Sequence, residues 1–236
     1  MLEIDGLAVR FDGIQALTRV SIAIPTGTRI GVIGPNGSGK TTLLNAISGL
    51  IPLAAGTIAV NGQNISRLAP HEIARVGVAR TFQTVRLFRR LSVLDNVMPR
   101  HAPDAHKAAL AALDATGLHE RQDEMAGDLT YVDQRRLEIA RAVAQRPRVL
   151  LVDEPTSGIS RIESDEIVAL IDRCFDRETT ILMVEHNVNA IVTLCARSVL
   201  LVEGRLAADG TTRDLLHDQR LMNVYLGTQA RTDTNR

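Results

Sequence analysis

Residues 34–42 read GPNGSGKTT, and within them Gly34, Gly39, Lys40 and Thr41 fit the spacing G-x-x-x-x-G-K-[ST]. With 17 glycines and 2 lysines in 236 residues, chance would produce this match in about one such chain in a thousand. The residue types suit recognition of a polyphosphate. Gly34, Gly37 and Gly39 let the backbone curl, so that a loop completed by Pro35, Asn36 and Ser38 can turn its N–H groups on a phosphate, with Thr41 and Thr42 opening the following helix. Lys40 would bridge the β- and γ-phosphates, and the Thr41 hydroxyl would ligate Mg²⁺. The chain carries 25 arginines but only two lysines, Lys40 and Lys107. Retention of lysine at 40 points to a need for a compact ammonium where a planar guanidinium would not serve.

A second pair of chemical residues stands at 153–154, where an apolar run over residues 149–152 delivers Asp153 and Glu154. Open α/β sheets bind ligands at the carboxyl ends of their strands. Asp153 would belong to the Mg²⁺ shell, and Glu154 would orient or deprotonate an attacking water. The alternative is an exposed acidic turn ahead of Pro155. His186 follows another apolar run, residues 181–184, which would bring it to the same sheet edge as Asp153 and within reach of a γ-phosphate. His71, His101, His106, His119 and His217 have no comparable setting.

These residues need a sheet to hold them. Runs rich in Val, Ile and Leu alternate with helical stretches, which predicts an α/β fold with a mostly parallel sheet. Residues 7–11 and 20–24 read as antiparallel strands, residues 28–33 as the strand before the phosphate loop and residues 41–50 as the helix after it. Between residues 84 and 146 strand signals vanish, and helical periodicity takes over at 105–116 and 133–145. This predicts a helical subdomain over 84–146 inserted into a core made of 1–83 and 147–227. Strand character returns at 149–153, 180–184 and 198–202, helices are expected at 213–217 and 221–226, and residues 228–236 read as a frayed polar tail.

Composition narrows the field. No apolar run approaches the roughly eighteen residues of a spanning helix, and the early acids in MLEID argue against a secretory signal, so a cytoplasmic protein is expected. Twenty-seven basic residues balance 27 acidic ones, which speaks against nucleic acid as a partner. Cys174 and Cys195 lack the spacing of a metal or redox pair and read as structural thiols.

In the order of its motifs, the chain resembles the nucleotide-binding subunits of ATP-binding cassette transporters over residues 2–227. After the phosphate loop, RTFQ at 80–83 is similar to the family's Q-loop. The segment LTYVDQRRLEIARAV at 129–143 lies where the signature LSGGQ opens a helix, LVDEPTSGIS at 151–160 matches the second acidic motif and the D-loop, and His186 matches the switch histidine. The resemblance implies a P-loop core, ATP and Mg²⁺ as ligands, and contact of Gln83 with Mg²⁺ or the lytic water. It also implies that Phe11 stacks on adenine, although a residue at a strand end is as readily core. Residues 85–94, with Val85, Leu87, Phe88 and Leu91 among Arg86, Arg89 and Arg90, would meet a membrane subunit, unless they form an amphipathic helix packed inward.

Within the family, residues 80–97, 135–142 and the Tyr-Leu-Gly at 225–227 look most like importers of branched-chain and other hydrophobic amino acids. Implied partners are transmembrane permeases, indirectly a periplasmic binding protein, and a second, different ATPase subunit. The implied location is the inner face of the plasma membrane. The alternatives are a cassette ATPase of another process, such as lipopolysaccharide export, and a hydrolysis-impaired regulatory subunit. Against LSGGQ the chain has Leu129, Thr130, Tyr131, Val132 and Asp133, and the D-loop carries Ser160. Family geometry turns these signature residues on the γ-phosphate of the opposite subunit. There a branched Val132 and an acidic Asp133 are predicted to impair a homodimer and favour a heterodimer.

Overall fold

A computed structural model describes residues 1–99 and 104–218. Two sheets carry the fold. The first pairs β1 (Leu2–Phe11) with β2 (Ile14–Ile24) and β4 (Ala55–Val60), all antiparallel, and adds β5 (Gln63–Asn64) at its edge. The second runs β10-β9-β3-β8-β7-β6, from β3 (Arg29–Ile33), β6 (Val78–Arg80), β7 (Val149–Asp153), β8 (Thr180–Val184), β9 (Arg197–Val202) and β10 (Arg205–Thr211). Only β10 is antiparallel in it.

Because side chains alternate along a strand, the buried β7 and β8 divide their residues between two cores. Val149, Leu151, Leu182 and Val184 face a cluster shared with the antiparallel sheet and with Leu43, Leu44 and Ile47 of α1 (Lys40–Ile47). Leu150, Val152, Ile181 and Met183 face a second cluster. That one is covered by α6 (Arg161–Cys174) and α7 (Val188–Leu194), and Leu215 of α8 (Thr212–His217) joins it.

α2 (Pro70–Val76), α3 (Val93–Val97), α4 (Ala105–Thr116) and α5 (Tyr131–Ala144) come between β5 and β7. The last three share a cluster of their own around Val97, Leu113 and Leu137. β7 and β8 stand where the apolar runs put them. β4, β5, α2, β6, α3, α6, α7 and β10 are additional to the elements expected from sequence. Most are short, but α6 is announced by a capping box in which Ser160 accepts from the Glu163 N–H at 3.4 Å and donates its own to Glu163 Oε2 at 2.7 Å. Ser160 thus starts a helix, work independent of any D-loop role. The helix expected at 221–226, the Tyr-Leu-Gly at 225–227, the tail at 228–236 and His101 lie outside the described residues.

Candidate functional site

The loop between β3 and α1 is shaped by contacts that a sequence pattern only hints at. Gly34 has φ +155 and Gly39 φ +102; a Cβ on Gly34 would come within 2.1 Å of Leu201 O, and one on Gly39 within 2.7 Å of Leu17 Cδ2. Glycine is therefore required by crowding as well as by torsion. Ser38 N donates to Pro35 O at 3.1 Å, and Gly204 N donates to Ser38 O at 2.9 Å, so the turn between β9 and β10 buttresses the loop. Asn36, Gly37 and Thr41 are exposed, Pro35 and Ser38 buried, and Gly39 and Thr42 intermediate. Lys40 is buried, its Nζ donating to Gly34 O at 2.7 Å and Pro35 O at 2.9 Å. Burial pulls its pKa below the ordinary lysine value, with Glu154 and Asp153 opposing.

Asp153 ends β7 and is buried. Its Oδ2 accepts from Arg80 at 2.8 Å, and Arg80 also donates to Asn45 Oδ1 on α1 at 2.7 Å and to Oγ of Ser48, which caps that helix, at 2.9 Å. Burial raises the Asp153 pKa and the Arg80 pair opposes the rise. Oδ1 is buried with no hydrogen-bond partner, as is Ser38 Oγ. A carboxylate oxygen left bare in a buried setting is costly unless something charged is meant to meet it. Among the described residues no three or more His, Cys, Asp or Glu gather to hold a metal by themselves. The unpartnered Oδ1 of Asp153, with the Thr41 hydroxyl and the Gln83 amide oxygen, would suit Mg²⁺, which commonly takes one carboxylate and completes its shell from phosphate and water.

Glu154 has φ +45, an uncommon backbone conformation for a residue with a side chain. Its N–H donates to Val184 O at 2.9 Å, which fixes it across the β7–β8 edge. Gln83 Nε2 donates to Oε2 at 2.7 Å and His186 Nε2 lies 3.0 Å from Oε1. The hydrogen bond with His186, opposed by burial and supported by Lys40 and Gln83, holds this carboxyl below the usual glutamate range. The residues singled out as Gln83, Asp153, Glu154 and His186 therefore meet at one sheet edge, on the side from which the phosphate loop emerges.

The remaining candidates lie on β1 and at the start of α5. Phe11, at the end of β1, is 44% exposed, which removes the core reading. Thr130 caps α5, accepting from Asp133 N at 3.2 Å and donating to Asp133 Oδ2 at 2.7 Å. That same oxygen accepts from Arg121 Nη1 at 2.6 Å, and Arg136 stands 3.8 Å from Oδ1. Asp133 is thus a paired carboxylate. Val132 is half-buried against the second core cluster instead of pointing wholly outward.

The ABC transporter family matches residues 17–157. The chain belongs to that family. It is 34% identical to the high-affinity branched-chain amino acid transport ATP-binding protein BraF of Pseudomonas aeruginosa, over 96% of this chain and 98% of that one. It is also 34% identical to the lipopolysaccharide export system ATP-binding protein LptB of Escherichia coli, over 95% and 96%. A crystal structure of an ATP-binding cassette of an ABC transporter in its ADP conformation superposes with a TM-score of 0.88 at 26% identity, covering 96% of this chain and 98% of that one. The protein is an ABC ATPase subunit that binds nucleotide. Among the described residues no helix is long and apolar enough to cross a membrane.

The cassette also uses residues to which the sequence gave no role. Glu185 is buried; its Oε1 accepts from Thr156 N at 2.9 Å and Thr156 Oγ1 at 2.5 Å, and its Oε2 from the N–H groups of His186 at 2.8 Å and Asn187 at 3.0 Å. It ties the loop after Glu154 to the histidine. A buried acid closing an apolar strand was the available signal. Arg80 and Arg135 gave none beyond their motif positions.

Proposed function

We propose that this ABC ATPase subunit powers an importer of branched-chain or related hydrophobic amino acids, hydrolysing ATP at a site built on Lys40 and Glu154. The observation that carries the chemistry is the Glu154 carboxylate, held low in pKa by His186 and by Gln83 2.7 Å away, at the same edge as the buried ammonium of Lys40. Lys40 and the loop N–H groups bind the phosphates, Glu154 takes or orients the proton of the attacking water, and His186 and Gln83 fix its two oxygens. Thr41, Asp153 and Gln83 would hold Mg²⁺, which when bound neutralises phosphate charge. Phe11 offers an exposed ring for adenine. ATP closes two cassettes on each other and hydrolysis lets them part, with residues 84–146 acting as the helical subdomain that follows the permeases.

The importer reading is supported by the likeness to BraF over nearly both whole chains. The cassette would work at the cytoplasmic face of the plasma membrane, with permease subunits, a second, different cassette and, indirectly, a periplasmic binding protein. Equal identity to LptB keeps lipopolysaccharide export as a second reading. Calorimetry and turnover test the site: Lys40→Ala should weaken ATP binding by about a hundredfold or more, whereas Glu154→Gln should bind normally and lose about a thousandfold in turnover. Unchanged ATP affinity in Lys40→Ala would refute the assignment. Leucine-dependent stimulation in vesicles carrying the cognate permeases and binding protein separates import from export.

A further inference from the structure

We propose that Arg135, working with Tyr131, is a positioning residue for Glu154, linking the start of α5 to the hydrolytic edge through a closed ring of hydrogen bonds; this rests on the assignment of hydrolysis to Glu154. Arg135 is 2% exposed. Its Nη1 donates to Phe82 O at 2.7 Å, and its Nη2 donates to Gln83 O and, at 2.7 Å, to Tyr131 Oη. Gln83 Nε2 donates to Glu154 Oε2 at 2.7 Å. On the other side, Ser157 N donates to the carbonyl of Glu154 at 3.2 Å, and Tyr131 Oη donates to Ser157 O at 3.3 Å. The circuit Arg135–Gln83–Glu154–Ser157–Tyr131 therefore returns to its starting guanidinium.

Two features make this more than ordinary packing. The guanidinium serves three acceptors at once, two of them consecutive carbonyls, from two nitrogens fixed in one rigid plane, a geometry that the single, freely rotating nitrogen of a lysine would not reproduce. Glu138, one turn along α5, repeats the grip from the acceptor side: its Oε1 takes the Phe82 N–H at 3.0 Å while its Oε2 lies 3.4 Å from Arg135. Residues 82–83 are thus held by donor and acceptor alike to the helix whose first turn holds Tyr131, Val132 and Asp133. A shift of that helix along its axis must move the Gln83 backbone, and with it the amide that orients Glu154. Nucleotide met by the α5 N-terminus would in this way be sensed at the catalytic carboxylate of the same chain.

Steady-state hydrolysis with ATP provides the test. Arg135→Lys should lower kcat about tenfold while KM for ATP stays within about twofold, because the phosphate loop is untouched. Tyr131→Phe, which removes one hydroxyl from a partly exposed ring and leaves the fold secure, should lower kcat about threefold. In a Gln83→Ala background both substitutions should cost nothing further, since the amide they position is gone. Full additivity in that background, or normal kcat in Tyr131→Phe and Arg135→Lys alike, overturns the proposal. Glu154→Gln serves as the separating control: if it keeps wild-type turnover, the catalytic assignment fails; if it abolishes turnover while the cycle is additive, only the positioning role does.

Discussion

At the scale of single residues, Glu154 is the point where backbone strain, charge and hydrogen bonding converge. Its carboxyl is held below the ordinary glutamate range, the hydrogen bond with His186 being the largest cause. A depressed acid pKa means the charged form persists as pH falls and is lost only on passing the lowered value. Hydrolysis that needs the carboxylate should therefore keep its rate through the usual glutamate titration range and fall below it. His186→Ala removes the main stabiliser and leaves the opposing burial, so the acid limb of the kcat/KM profile should move to higher pH, with kcat at neutral pH reduced about tenfold or more. An acid limb at the same pH in both proteins would show that His186 does not set this carboxyl. Lys40 was read from glycine spacing and Asp153, Glu154 and His186 from the apolar runs that end beside them, whereas Gln83 came only from the likeness of RTFQ to the family's Q-loop. Arg80, Glu185 and Arg135 were not legible, because their partners lie 73, 29 and 52 residues away in sequence and only the fold brings them together. Nothing at 129–133 announces that Arg121, twelve residues earlier, would pair with Asp133.

At the scale of elements, the strands that carry chemistry were readable because burial on both faces gives uninterrupted apolar runs. The segment at 85–94 was harder. Its mixture of Leu, Phe and Arg allows an amphipathic helix, yet up to Ser92 it takes no helical form. Buried Asn96 decides this, since its Oδ1 accepts from Phe88 N at 2.9 Å and its Nδ2 donates to Phe88 O at 3.0 Å and Ser92 O at 2.9 Å. The side-chain amide replaces the helical partners of those backbone groups. Leu87 and Leu94 turn to the α3–α5 core, while Phe88 is left 55% exposed beside Leu91, under the guanidinium of Arg141 at 5.8 Å. The groove they line with Met98, Pro99 and His71 has a volume of about 530 Å³. Phe88→Asp should therefore abolish capture of the permeases in pull-down while changing the melting temperature by no more than about 2 °C, because little buried area is lost. Undiminished capture would show that this loop is not the contact.

At the scale of the whole molecule, the question is what the chain becomes when two cassettes close. In a homodimer both sites would meet the altered signature; with a partner carrying an intact one, the site built on Lys40 and Glu154 would be complete and only the other impaired. The two departures are not equal. The carboxylate of Asp133 is paired with Arg121 at 2.6 Å and lies 3.8 Å from Arg136, and these cations also serve Glu124 and Glu166, so the negative charge that would repel phosphate is reduced without being cancelled. Val132 has no such compensation. Even half-buried, a β-branched side chain on the first turn of α5 would hinder the approach of a phosphate to the helix N–H groups. Losing well-aimed donors to developing phosphoryl charge costs on the order of 3 kcal/mol, roughly a hundredfold in rate. The purified chain should then hydrolyse ATP slowly even at concentrations that favour self-association, and a different cassette subunit with an intact signature should raise turnover by about that factor. Val132→Gly should recover about tenfold of self-stimulated activity, less than the full loss because the glycine also forfeits packing on the second cluster and loosens the helix start. Adding Asp133→Gln should change the rate by less than about threefold, its carboxylate being held in a pair with Arg121. Turnover of the purified chain equal to that of the mixed pair, and unimproved by Val132→Gly, would mean that the substituted signature serves phosphate as well as glycine does and that a homodimer is sufficient.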